Sequence, residues 1–261
     1  MARIPRFVLA PRWIGLLVFA LVVATTCVRL GIWQLDRLEE RRALNERIRS
    51  GLSAATSSSL GEIATRDPGS LAYRRVEVTG AYDLDHEILL YGRSLDGRPG
   101  HHVLTPLVYG GEAGTAVIVD RGWVPIELDA PPVVTAAPPE GAVTVIGFLL
   151  PVEETDDVVI DRDASGRVLT VRVDVPTALE GEIPYQLFPL PVQLQEQSPA
   201  QAGDLPVAIG PPQLTEGPHL SYAGQWFTFA TIALVGYVVL VRREVRDRAR
   251  DAERTAEVEA G

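Results

Sequence analysis

Four histidines are the only imidazoles in the chain: His86, His101, His102 and His219. His219, Tyr222 and Trp226 follow one another at i, i+3 and i+7, which is one face of a helix. Arg29, Trp33 and Arg37 follow at i, i+4 and i+8, also one face. Each trio borders a long apolar run, so the two faces belong at the same depth of a membrane. An imidazole at such a rim suits an axial ligand of haem iron. Guanidinium forks suit carboxylates such as the haem propionates. The same residues also describe plain interfacial anchoring, with rings at the headgroup level and arginines snorkelled to water. Spacing alone leaves both readings open.

The other chemistry-bearing residues point to less. His101 and His102 are adjacent and point to opposite faces of an extended chain, so they make a poor chelate and suit a surface or core role. Asp83, Asp85 and His86 beside Tyr82 could serve an envelope enzyme, but they read more simply as turn residues. Arg121 closes an apolar strand ahead of Gly122 and Trp123, a place for a salt bridge or a docking contact. No G-x-S-x-G, G-x-G-x-x-G, P-loop or H-E-x-x-H occurs, so no catalytic residue is assigned and no enzyme is expected. One cysteine, Cys27, excludes an internal disulfide, a C-x-x-C pair and a C-x-x-C-H haem attachment. Met1 is the sole methionine, which removes thioether copper ligands and makes copper delivery a poor fit. All 24 basic residues are arginine against 34 acids, a net charge of −10 that disfavours nucleic acid as a partner.

The elements that must position these residues are legible as hydropathy. Trp13 to Leu35 is apolar apart from Arg29, and its 23 residues make a helix of about 35 Å against a hydrocarbon core of about 30 Å. Leu220 to Val241 is a second such run of 22 residues. Trp13, Trp33 and Trp226 lie near the ends of the runs, as interfacial aromatics do. A signal peptide is the rival for the first run, yet no A-x-A site follows it, and ATTC around Cys27 is a weak lipoprotein signal. An uncleaved span is expected.

No arginine occurs between Arg172 and Arg242, whereas six crowd the segment from Arg242 to Arg254. The positive-inside rule therefore puts the C-terminus in the cytoplasm, and two spans put the N-terminus there too. The expected organisation is a cytoplasmic N-terminus over 1–12, a span over 13–35, an external soluble domain over 36–219, a span over 220–241 and a cytoplasmic tail over 242–261. The external part is acidic, with 14 arginines against 28 acids between Asp36 and Gly224.

The charged run from Asp36 to Leu52 continues the first helix as a stalk that breaks at Gly51, with Glu46 placed to pair with Arg42. Ser53 to Ser59 reads as a linker or cap outside the core. Alternation then marks strands at 74–80, 87–92, 102–110, 115–124, 143–151, 157–160 and 167–173, with Val76, Val78, Val117 and Val119 facing inward. A short helix fits 176–179. From Tyr185 onward the recurrent prolines suggest extended edge or surface chain. The tail reads as a solvated helix with Arg243–Asp247 and Glu244–Arg248 pairs. The fold class is thus a membrane hairpin of two transmembrane helices enclosing a mainly antiparallel β (α+β) external domain.

Four segments in order carry a resemblance: LGIWQLDR (30–37), RRVEVTGAYDLDHEILLYGR (74–93), GHHVLTPL with VIVDRGWVP (100–107 and 117–125), and HLSYAGQWFTFA (219–230). Together they resemble the SURF1 family of cytochrome c oxidase assembly factors over nearly the whole chain. The resemblance implies a membrane-anchored chaperone that binds haem a and helps insert it into the oxidase catalytic subunit, with haem a synthase as a second partner. It implies His219, the histidine of the last motif, as the iron ligand. Asp120 stands where the family usually has Asn, which still suits an Asx turn at a strand end. The first motif continues as DRLEER without the usual lysine, in a chain that has none. The all-arginine, Ala/Gly/Pro-rich usage suggests a high-GC genome and a bacterial cell membrane. The alternative is a scaffold that never binds haem and works through a DRGW surface.

Overall fold

An apolar run in hydrocarbon must satisfy its own backbone, and a helix does so within one segment. The helices are α1 (Pro11–Ser53), α2 (Leu60–Ile63), α3 (Pro68–Leu71) and α4 (His219–Ala260). The structure, a computed structural model, describes residues 6–57, 59–110, 114–151, 160–162, 168–171, 179 and 181–260. It divides into a helical unit, the chain up to Asn45 with Thr215 onward, and a β unit, Glu46–Leu214.

In the helical unit α1 and α4 lie antiparallel, as the pairs Arg12–Glu244, Gln34–His219 and Arg42–Glu216 require. The α1 seam is Trp13, Ala20, Ala24, Cys27, Gly31 and Leu38, all buried at heptad steps of seven, four and three. Ala223, Trp226 and Ala230 face it from α4, and the Phe227 ring lies against Gly31. Small residues at these positions let the backbones approach. The opposite faces stay apolar and exposed: Phe19, Val22, Ile232 and Val235 are all more than half exposed. Only 22% and 6% of the two apolar windows are buried, whereas a core helix of a soluble protein would be mostly buried. Both helices are long and apolar enough to cross a membrane.

Charge pairing along the helices differs in part from expectation. Arg42 takes both carboxylate oxygens of Glu216 at 2.9 Å, and Glu46 pairs with Arg49 instead. That hydrogen bond raises the Arg42 pKa and lowers that of Glu216. Both tail pairs form, Arg243–Asp247 at 3.8 Å and Glu244–Arg248 at 2.9 Å. The stalk runs through Gly51 to Ser53 before it breaks.

The β unit contains β1 (Arg75–Tyr82), β2 (Ile88–Leu95), β3 (Arg98–Tyr109), β4 (Thr115–Pro125), β5 (Ala142–Leu149), β6 (Ile160–Arg162), β7 (Val168–Val171), β8 (Gln186–Leu187) and β9 (Val192–Ser198). Strands β1, β5, β9, β4 and β3 pair in that order and close back on β1, forming a five-stranded barrel. The neighbours are antiparallel except β9 with β4. Strands β2, β7 and β6 extend the sheet from β3, and β8 adds to β4. Val76, Val78, Val117 and Val119 meet inside the barrel with Leu107, Val143, Val145 and Val192, and Leu60, Ile63 and Leu71 join this core from α2 and α3. Ile118, on the other face of β4, enters a second core with Ile88, Leu104 and Leu179. A strand buried on both faces reads as a continuous apolar run.

Pairing alters three expectations in part. After Tyr185 only β8 is an edge strand, whereas β9 lies inside the barrel between β5 and β4, with Val192 fully buried. Pro191 and Pro199 bracket β9 instead of interrupting it, so no ladder donor is missing. None of the described residues of the Ser53–Ser59 segment is buried, so it stays outside the core, but Ser57 makes a single parallel bridge to Val76. The DRGW segment is not a strand end, because β4 continues to Pro125. The 176–179 helix lies outside the described residues except for Leu179, as do 157–159 and the turn between β6 and β7.

Candidate functional site

At its first residue α4 presents His219, half-buried, at the border of the apolar run. Gly217, at φ +68°, turns the chain into the helix, and its N–H donates to Thr215 Oγ1. Arg42 clamps Glu216 just upstream. The His219 ring reaches α1 through Nδ1, which lies 2.9 Å from Gln34 Oε1. Nε2 has no hydrogen-bond partner among the described residues.

Of the residues singled out with His219, Trp226 sits in the same seam against Ala24, Cys27 and Ala230. Tyr222 looks outward at 45% exposure, as does Trp33 at 50%. Arg29, Trp33 and Arg37 form an exposed stripe of α1 beside the seam. Arg37 is held 5.8 Å over the Trp33 ring and donates to Glu40 at 2.7 Å. The residue of α1 that meets His219 is therefore Gln34, which the spacing argument passed over. Its signal was heptad placement: seven residues after Cys27 and three after Gly31, it is a polar side chain on an apolar seam.

The β unit spends its polar residues on architecture. Between β3 and β4 the register shifts at Val103/Leu104, leaving Arg121 as the extra residue of a bulge. A bulge re-aims its side chain, and here the Arg121 guanidinium goes into the interior, fully buried with Glu87. It donates to Glu87 Oε2 at 3.2 Å, the Ala136 carbonyl at 2.6 Å and Gln201 Oε1 at 3.0 Å, and lies 5.3 Å over the Tyr82 ring. Burial pulls the Arg121 pKa down, and Tyr82 and Glu87 pull it back part of the way. Asp120 accepts from the Gly122 N–H at 3.1 Å and from His102 Nδ1 at 2.8 Å. With Asp120, Arg121 and Trp123 each 5% exposed or less, DRGW offers no docking surface.

His101 and His102 do lie on opposite faces. His101 is buried against Tyr91, ring centroids 4.0 Å apart, beside a cleft of about 380 Å³ that Ile126 also lines. Burial lowers its pKa. Asp83 caps the 3-10 turn Leu84–His86, accepting from the Asp85 N–H, His86 Nδ1 and Tyr185 Oη at 2.9, 2.6 and 2.7 Å. Burial acts to raise its pKa, but the Tyr185 and His86 bonds outweigh that and hold it below the ordinary range. Among the described residues no three His, Cys, Asp or Glu side chains are grouped to hold a metal ion.

Two long helices, each apolar enough to cross a membrane, packed as a hairpin with a small β barrel encoded between them, define the class as a helical hairpin of membrane type carrying a β domain. The chain belongs to the SURF1 family, whose profile matches residues 21–231. It is 30% identical over 254 residues to an uncharacterized SURF1-like protein of Mycobacterium bovis, covering 94% of this chain and 89% of that one. A SURF1-like protein of Rickettsia felis is 28% identical over 228 residues, 86% of this chain and 96% of the relative. Surfeit locus protein 1 of Takifugu rubripes is 28% identical over 149 residues, 50% of this chain and 60% of the relative. Membership implies a role in oxidase assembly and, with the two apolar helices, a membrane protein.

Proposed function

We propose that the protein is an assembly factor for a haem–copper oxidase that receives haem a as cargo at His219 and passes it to the catalytic subunit. The observation that carries this reading is the His219 ring at the border of the apolar helices, with one nitrogen engaged by Gln34 and the other unengaged. The donor set fits the cargo, because haem iron needs a single imidazole from one chain where an aqua metal ion needs a cluster. Trp226 continues the apolar seam two turns further along α4, and Arg29 and Arg37 are exposed guanidiniums of α1 for the propionates. Tyr222 and Trp33 complete the rim. Haem a synthase is the donor in this scheme and the β barrel faces the partner proteins. No covalent step is assigned to the chain itself.

In this reading the protein crosses a bacterial cell membrane twice, with both termini in the cytoplasm and the β unit outside. The support is the arginine distribution, six residues between Arg242 and Arg254 after none from Val173 to Val241. Protease added to intact spheroplasts should remove the β unit and spare a C-terminal tag; loss of the tag refutes the topology.

The decisive experiment is purification from cells that make haem a, followed by an optical spectrum and haem extraction. His219→Ala should leave a folded, membrane-inserted protein whose haem content falls sharply. Unchanged haem content and spectrum would end the haem reading. A scaffold that stabilises an oxidase intermediate would then take its place, acting through a surface other than the buried DRGW segment.

A further inference from the structure

The Gln34 side chain crosses the helix seam to one atom of one residue, His219 Nδ1, at 2.9 Å. Gln34 presents Oε1, a carbonyl oxygen that only accepts, so Nδ1 must carry the proton. A neutral imidazole has one N–H, so its Nε2 then bears a lone pair. We infer that Gln34 is a positioning residue that holds His219 as the Nδ1–H tautomer and leaves the Nε2 lone pair unengaged. The inference rests on the reading of His219 as an iron ligand and says how the chain prepares it.

Two features around the ring agree. The Nε2 edge runs past Gly217, where an added Cβ would lie 3.4 Å from His219 Cδ2 and 3.5 Å from Nε2. Gly217 also holds a φ of +68° that other residues rarely adopt, so the residue beside that edge brings no side chain against it. The Arg42–Glu216 fork fixes the segment just before the helix, which limits how far the ring can swing from Gln34. Ligating imidazoles elsewhere have their second nitrogen held in the same way, and losing that partner costs about 10–100-fold in metal affinity.

The test uses the full-length protein in lipid nanodiscs, free of haem and labelled with 15N at histidine, at mildly alkaline pH where imidazoles are neutral. Free histidine favours the Nε2–H form, so an Nδ1–H signal for His219 is a reversal that needs a cause. Wild type and Gln34→Glu should show His219 as Nδ1–H, and Gln34→Leu, which keeps an apolar side chain in the seam, should return it to Nε2–H. Haem titrated into the same preparations should bind about tenfold more weakly to Gln34→Leu. Gln34→Glu should bind haem with an iron potential shifted negative, because an anionic partner makes the imidazole a stronger donor. Nε2–H in the wild type, or a Gln34→Leu protein unchanged in both tautomer and affinity, overturns the inference. Haem retained by His219→Ala overturns the ligand reading instead, whatever the tautomer.

Discussion

Replacing Arg121 by methionine should destabilise the β unit by an amount that depends on pH in a calculable way. Arg121 and Glu87 are both completely buried. Without the guanidinium, Glu87 still accepts from Thr105 Oγ1 at 3.1 Å and from the Val133 N–H at 2.7 Å, but the buried carboxylate loses its ion pair with Arg121. Breaking such a pair from one side costs about 3–5 kcal/mol. Protonating Glu87 sets a ceiling on the charge part of that cost. From an ordinary pKa of about 4.3, neutralising a carboxylate takes about 3.7 kcal/mol at pH 7 and about 1 kcal/mol at pH 5. The Ala136 carbonyl and Gln201 also lose a donor, adding about 1 kcal/mol that does not depend on pH. The expected penalty is therefore about 4–5 kcal/mol at pH 7 and about 2 kcal/mol at pH 5. Urea titration of the full-length protein in micelles, read by pulse proteolysis of the β unit, measures both. Other groups that titrate in this range cancel in the difference between variant and wild type. A penalty below about 1 kcal/mol at pH 7, or one that does not shrink on acidification, refutes the reasoning. Arg121→Met combined with Glu87→Gln should recover most of the charge part of the loss, since the neutral amide can still accept from the Val133 N–H through its oxygen.

Val78→Asp puts an unpaired carboxylate into the barrel core and should cost about 2–5 kcal/mol, read by the same titration. The buried His101 imidazole has its pKa lowered in the fold, so the unfolded chain takes up a proton that the folded one refuses. Stability should then be full above the unfolded value of about 6.5 and fall as pH drops below it, by at most about 1.4 kcal/mol per pH unit. His101→Leu should flatten that slope between pH 6.5 and 5, and an unchanged slope would show that the acid sensitivity arises elsewhere.

Local pattern made part of this molecule legible from its residues. The runs Trp13–Leu35 and Leu220–Val241 are readable as helices because a membrane span needs only length and apolarity. Val76/Val78 and Val117/Val119 are readable as inward because alternation along a strand encodes its two faces. The tail pairs Arg243–Asp247 and Glu244–Arg248 follow from helical spacing alone. His219 stood out as the imidazole at a membrane border, although the spacing of Arg29, Trp33 and Arg37 pointed to the stripe beside the seam instead of to Gln34.

What only the tertiary structure decided involves residues far apart in the chain. Gln34 and His219 are 185 positions apart, and their contact depends on the heptad register of two helices that neither segment specifies by itself. Arg121 could have been a surface or a core residue. A one-residue bulge against β3, set by how β4 and β3 align, sent it to Glu87 34 positions away. The prolines after Tyr185 carried a true local message, that the chain there lacks donors, and β9 respects it by fitting between Pro191 and Pro199. Its place inside the barrel came from closure, since β5 and β4 each present a free edge that a short extended segment with Val192 on its inner face can satisfy. Amino-acid sequence determined which segments are helical, which are extended and which faces are apolar, because those properties repeat within a few residues. Which partner each polar side chain found was decided by long-range packing, because a buried charge or amide is stable only beside the one group that the finished fold brings to it.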